Sequence, residues 1–130
     1  MKILALRTDT ALASLALYQG DTLLQEFNWE AGRRLSATLH RKLLGLLQSE
    51  RLTLSDVEAI VVYQGPGSFT GLRIGISAMN ALAYSLNIPI IGVRGDAWST
   101  NVQHELLAGK NHRIVQPYYG ADPKTTKPRK

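Results

Sequence analysis

The chain has no cysteine, and only two phenylalanines, two tryptophans, two methionines and three histidines among its 130 residues. Without cysteine there can be no disulfide frame and no thiolate metal site, which fits a reducing compartment. His40, His104 and His112 are not spaced i, i+4 from one another, and no His-Glu-x-x-His run occurs, so no metal site is expected. Long apolar runs are also missing. The opening "MKILALRTDTALASLALYQGD" begins like a leader, but Arg7, Asp9 and Gly20-Asp21 interrupt it. No stretch reaches the about 18 apolar residues of a membrane span. The expectation is a soluble, unprocessed, cytoplasmic chain. Acid is absent from the tail "PKTTKPRK", 123–130, which carries Lys124, Lys127, Arg129 and Lys130. Setting those four aside leaves 11 basic against 10 acidic residues, so the body is nearly neutral. Such a tail reads first as a solvated end, with contact to RNA phosphates as the alternative.

What is present is a chain that is 45% hydrophobic and long enough for one domain with its own core. Ile3 to Leu6 form a buried strand. Residues 11–30 read as a hairpin turning at Gly20-Asp21, with Leu15, Leu17, Leu23 and Phe27 among the alternating apolar positions. Residues 36–50 read as a helix with Ser36 as N-cap and a core stripe of Leu39, Leu43, Leu46 and Leu47. Leu44 falls off that stripe and Leu35 precedes it, which suggests a second apolar surface. Ala59–Val62 form a buried strand. A helix follows the glycine-rich loop and ends at Asn87 and Pro89, and 88–93 form another buried strand. Residues 96–109 read as a third helix between Asp96 and Gly109. Beyond it, Arg113–Val115 offers one short strand before the Pro-rich tail. The order β-β-β-α-β-α-β-α predicts an α/β fold: a mixed five-stranded sheet with helices on both faces. One lobe of the actin-like ATPases (the ASKHA group) and ribonuclease H share that order. The domain boundaries expected are 1–109 for the lobe and 110–130 for the short strand and tail.

The densest stretch is "QGPGSFTGLRIG", 64–75. A phosphate-binding P-loop requires a lysine after its last glycine; here Gly71 is followed by Leu72 and Arg73. The dinucleotide pattern fails because position 70 is Thr. Strand, glycine loop and helix still make a generic anion site from Gly65, Gly67, Ser68, Thr70 and Gly71. The competing reading is a turn shaped by Pro66 and Gly67 and a cap from Ser68 or Thr70. Ser68 lacks the Gly-x-Ser-x-Gly frame of a nucleophile elbow, which argues against a serine hydrolase. Where actin-like ATPases and ribonuclease H place a magnesium-binding aspartate after strand one, this chain has Arg7, whose charge opposes a cation. On the helix after the loop, Gly71, Gly75 and Ala78 recur along one side and Leu72, Ile76, Met79 and Ala83 along another. A helix apolar on two sides is either sandwiched in its own domain or half of an interface.

"GPGSFTGLRIG", with "DVEAIVVYQ" before it and "NIPIIGV" after it, resembles the TsaB (YeaZ) family. "KILALRTDTALASLALYQGD" and "RRLSATLHRKLLGLL" look like that family's first hairpin and first helix, and the resemblance runs to about residue 106. It implies a non-catalytic subunit, without cofactor, in the synthesis of threonylcarbamoyladenosine at adenosine 37 of tRNA. Such a subunit supports TsaD, and the ATPase TsaE joins the pair. Carried onto this sequence, the contact positions are His40, Leu44, Leu47, Gly71, Gly75, Ala78, Met79 and Leu82. The family commonly has Asp at the position of Arg7, Ser at that of Asp9 and His at that of Leu35. The final "VQPYYGADPKTTKPRK" resembles the family's last segment, which implies a single-lobe short form. Self-pairing and direct tRNA contact stay open. The alternative is a small actin-like ATPase or phosphotransferase using loop 65–75 for phosphate.

Overall fold

The structure, a computed structural model, describes residues 1–67, 69–95 and 102–118. The strands are β1 (Lys2–Arg7), β2 (Leu12–Gln19), β3 (Thr22–Glu30), β4 (Ala59–Gly65) and β5 (Ile90–Arg94). The helices are α1 (Leu35–Ser49), α2 (Phe69–Leu86) and α3 (Val102–Leu107). One sheet runs in the order β3-β2-β1-β4-β5. The β1, β2 and β3 neighbours are antiparallel, and β4 pairs in parallel with both β1 and β5. The mixed sheet expected from the element order is present.

Strand parity divides the core between two faces. Leu4, Leu6, Leu15, Leu17, Ile60, Val62 and Ile90 meet the buried leucines of α1 and the buried Leu72, Ile76, Met79 and Ala83 of α2. Ile3, Ala5, Ala16, Ala59, Val61 and Ile91 point the other way, where Leu106 of α3 joins them. Helices therefore cover both faces. β4 is apolar at consecutive positions because both of its sides are covered.

Several local readings change. β3 is shifted in register by an irregularity opposite Leu17 and Tyr18, so Leu24 packs against the core and Leu23 is exposed. One extra residue reverses the strand's parity. Ser36 is not the cap of α1. A 3-10 turn at Gly32–Arg34 leads into the helix at Leu35, Arg34 sits at the N-cap without a side-chain cap, and Ser36 is exposed in the first turn. Asn87 does end α2, with φ of 55° and the Ile88 N–H donating to the Ala83 carbonyl. Asp96 lies outside the described residues.

Arg113–Val115 is not a strand. Residues 110–118 form an irregular strap held by side chains. The Asn111 Oδ1 accepts from the Ile90 N–H at 3.1 Å and His112 Nδ1 accepts from the Gly92 N–H at 2.9 Å. Asn80 on α2 grips Val115 at both ends, donating to its carbonyl at 3.0 Å and accepting from its N–H at 2.9 Å. Gln64 donates to the Gln116 carbonyl, and the Tyr118 N–H donates back to the Gln64 carbonyl at 2.7 Å. Arg113 has a φ of 67°, which breaks any extended run there. Asn80→Ala is expected to cost about 2 kcal/mol, because it strands both polar groups of buried Val115. Denaturant unfolding reads that loss, and faster amide exchange at Val115 localises it.

Gly45, within α1, has room for a side chain. A Cβ at Gly45 of α1 would lie 3.5 Å from the Phe27 ring, an ordinary contact. Gly45→Ala is therefore expected to stabilise the chain by about 0.5 to 1 kcal/mol through helix propensity, read as a raised melting temperature.

Candidate functional site: the glycine loop and the α1–α2 groove

The glycine loop leaves the C-terminal end of β4 beside the end of β1. Its glycines are needed because other parts of the chain lie against them. A Cβ at Gly65, whose φ is 135°, would overlap the Tyr118 carbonyl oxygen. A Cβ at Gly67 would overlap Asp9 Cβ and lie 3.1 Å from Asp9 Cα. The Gly71 carbonyl accepts from the Thr8 hydroxyl at 2.8 Å. One turn later, a Cβ at Gly75 would overlap Thr8 Oγ1 and lie 3.1 Å from Thr8 Cγ2. Positions 67, 71 and 75 are four residues apart, and together they seat Thr8 and Asp9, which are 1% and 8% exposed.

Arg7 completes this arrangement. Its guanidinium meets the Asp9 carboxylate at 2.7 and 3.1 Å and lies 4.0 Å from the centroid of the Tyr63 ring. The Tyr63 hydroxyl donates to the Pro66 carbonyl at 2.9 Å. Beside Gly67 lie the Cβ and backbone of Asp9, whose carboxylate is held by Arg7. Of the expected anion-site residues, Gly65 and Gly67 are thus packed against protein atoms. Thr70 is exposed and faces elsewhere, and Ser68 lies outside the described residues. Among the described residues no three of His, Asp and Glu converge as a metal-ligand set.

The open feature lies on the outer side of α1 and α2. A groove of about 770 Å³ runs between them. Ser36, Leu39, His40 and Leu43 of α1 line one wall, and Leu54 lines it near the end of the helix. α2 supplies two rows at four-residue spacing: Thr70, Ile74, Ala78 and Leu82, then Arg73, Ser77, Ala81 and Ser85. Small side chains along these rows leave the space beside α1 unfilled. A smaller hollow of about 400 Å³ adjoins it, lined by Leu44, Leu47, Leu52 and Leu54 among others.

The expected contact positions divide between surface and core. His40, Ala78 and Leu82 line the groove, and exposed Leu44 edges the hollow. Leu47 and Met79 reach these cavities only from the core, each 1% exposed. Gly75 faces Thr8, and Gly71 carries the Thr8 hydrogen bond; neither lines the groove. The small-residue side of α2 is thus shared between internal packing at its start and the groove further along. The sequence reading missed Thr70, Ile74, Ala81 and Ser85 as lining residues. Their signal was the pair of i, i+4 rows, which polar serines and threonine obscured.

Residues 29–102, which include both groove helices, match the family model described as "TsaD: tRNA N6-adenosine threonylcarbamoyltransferase". The tRNA threonylcarbamoyladenosine biosynthesis protein TsaB of Escherichia coli K12 is 32% identical over 125 residues, covering 92% of this chain and 54% of that protein. The chain thus spans about half the length of this curated relative. The solved structure of YeaZ from Pseudomonas aeruginosa superposes with a TM-score of 0.67 at 34% identity, over 72% of this chain and 43% of that one. Thermus thermophilus RuvC bound to a Holliday junction, 13% identical with a TM-score of 0.52, covers 92% of this chain and 85% of its own; it shares the fold alone. The fold is one actin-like, ribonuclease-H-like lobe, and the chain belongs to the family that the threonylcarbamoyltransferase model describes, on its TsaB (YeaZ) side.

Proposed function

We propose that this chain is a binding subunit in the synthesis of threonylcarbamoyladenosine on tRNA, and that its α1–α2 groove seats a TsaD-type subunit. The observation that carries this reading is the contrast between the two candidate sites. Gly67 and Gly75 are packed against Asp9 and Thr8 of the chain itself, whereas the groove is open and mainly apolar. An open apolar groove between two helices suits the helix-in-groove mode of protein recognition. The lobe 1–109 supplies both helices, and the strap 110–118 is pinned to it through Asn80 and Gln64.

Co-expression with the TsaD-type subunit of the same genome, followed by size exclusion, tests the reading. A shared peak of defined stoichiometry is expected; separate peaks at micromolar concentration would overturn it. The phosphotransferase alternative makes a different prediction. Titrating the isolated chain with ATP and magnesium is expected to give no tight binding, because Asp9 occupies the side of the loop where Gly67 lies. Magnesium-dependent binding at micromolar ATP would favour the enzyme.

A further inference from the structure

The strap 110–118 is held at two places, by different means. Its later half is anchored by Val115, which is 3% exposed and gripped by Asn80 on α2, and by the bonds of Gln64 with Gln116 and Tyr118. Those bonds join side-chain amides to backbone groups, and neither titrates. The earlier half lies along the outer edge of β5, the end strand of the sheet. There the His112 N–H donates to the Ile90 carbonyl at 2.8 Å, the Ile90 N–H donates to Asn111 Oδ1 at 3.1 Å, and the Gly92 N–H donates to His112 Nδ1 at 2.9 Å. No apolar burial backs these bonds: Lys110 to Arg113 are exposed, and so is Ile114, at 66%. The backbone is strained beside them. Arg113 has a φ of 67° inside a three-residue turn that the Ile114 N–H closes on the His112 carbonyl at 2.7 Å.

We propose that His112 is a pH-sensitive latch on the β5 edge: the earlier half of the strap closes on the neutral imidazole and opens when His112 is protonated. An imidazole nitrogen accepts a hydrogen bond only through its lone pair, so the Gly92 N–H fixes His112 with its proton on Nε2. A proton added at Nδ1 turns that acceptor into a donor facing a donor. The two bonds at Ile90 must then hold residues 110–114 against their chain entropy and the strain at Arg113. The open state binds one proton more than the closed one, so closure holds at higher pH and weakens as the pH falls. The surrounding charges do not favour the imidazolium. Lys110 on the strap is paired with Glu105 of α3 at 3.4 Å. Arg113 follows His112, Arg94 lies two residues beyond Gly92 on β5, and Arg73 of α2 lines a hollow with Ile114 and Gln116. Among the described residues no carboxylate pairs with His112. The Asn80 and Gln64 anchors stay in place, so opening is local. It frees the Ile90 and Gly92 backbone groups of an end strand, the kind of edge that pairs with another extended segment.

The test is amide hydrogen exchange read by NMR at pH about 8 and about 5, with each rate corrected for the intrinsic pH dependence of exchange. Protection of the Gly92 and Ile90 N–H groups is expected to fall at least about tenfold at the lower pH, while that of Val115 and of Leu4 on β1 holds. His112→Asn places an amide oxygen where Nδ1 stands and cannot titrate, so it is expected to keep Gly92 protected at both pH values. His112→Ala lacks the acceptor and is expected to leave Gly92 weakly protected at both. The side chain at 112 is exposed, and circular dichroism melting curves check that each variant is folded. Wild-type protection at Gly92 that is the same at both pH values would overturn the proposal. So would a fall of equal size in His112→Asn, or a fall shared by Leu4, which would mark opening of the whole sheet.

Discussion

Gly67→Ala is expected to destabilise the chain by about 3 kcal/mol, lowering the melting temperature by about 10 °C. The methyl group would overlap Asp9 Cβ, and the Asp9 backbone lies just behind at 3.1 and 3.3 Å, so no rotamer change clears it. Gly75→Ala should cost less, about 2 kcal/mol, because there the obstacle is the side chain of Thr8. The two differ in their rescue. Adding Thr8→Ala removes the Oγ1 and Cγ2 that a Gly75→Ala methyl would strike and leaves Cβ at 3.2 Å, so part of the loss should return, less the Thr8 hydrogen bond to Gly71. No side-chain truncation at Asp9 should rescue Gly67→Ala fully. Differential scanning calorimetry of the two single variants and the Thr8 double variant measures all three. If the loop were a phosphate cradle, both substitutions would impair ligand binding and leave stability nearly unchanged. Wild-type melting temperatures would therefore contradict the packing account.

Ala81→Glu is expected to abolish partner binding, weakening it at least about a hundredfold, with stability within about 0.5 kcal/mol of the parent. Ala81 is exposed, lies mid-helix and lines the groove, so glutamate is tolerated in the free chain. In the complex its carboxylate would be buried against an apolar seam. Isothermal titration with the TsaD-type subunit reads the affinity, and urea unfolding reads the stability. Retained affinity would move the interface away from the α1–α2 groove. The pair of results also separates the two sites. Loop variants should lose stability first, and groove variants should lose binding first.

These expectations follow from features that were unequally legible beforehand. The core stripe of α1 is plain in the spacing of Leu39, Leu43, Leu46 and Leu47, and the structure buries all four. The turn at Gly20-Asp21 is plain from its residue types, since only a short list of residues takes positive φ without cost, and Gly20 has a φ of 62°. Leu23 was misplaced because a bulge has no period of its own. One extra residue on β3 reverses inside and outside, and nothing local announces it. The strap departs from the expected strand because the side chains of Asn80, Asn111, His112 and Gln64 supply most of its hydrogen bonds, beside two isolated backbone bonds, His112 N–H to Ile90 and Tyr118 N–H to Gln64, that do not make a ladder.

The sequence by itself determined the element order, the mixed sheet, the two-sided burial of β4 and the kinship carried by residues 65–75. These depend on periodicity and on residues with restricted or unusual backbone freedom, and both are local properties. Only the tertiary structure decided what the glycines are for. The same Gly-rich turn could cradle a phosphate or receive another part of the chain. Which happens depends on Thr8 and Asp9, about sixty residues away in sequence and brought alongside by the β1–β4 pairing. The tertiary structure also divided α2 between core and groove. A helical stripe shows which residues share a face, but whether that face is covered depends on how far apart the neighbouring helices lie.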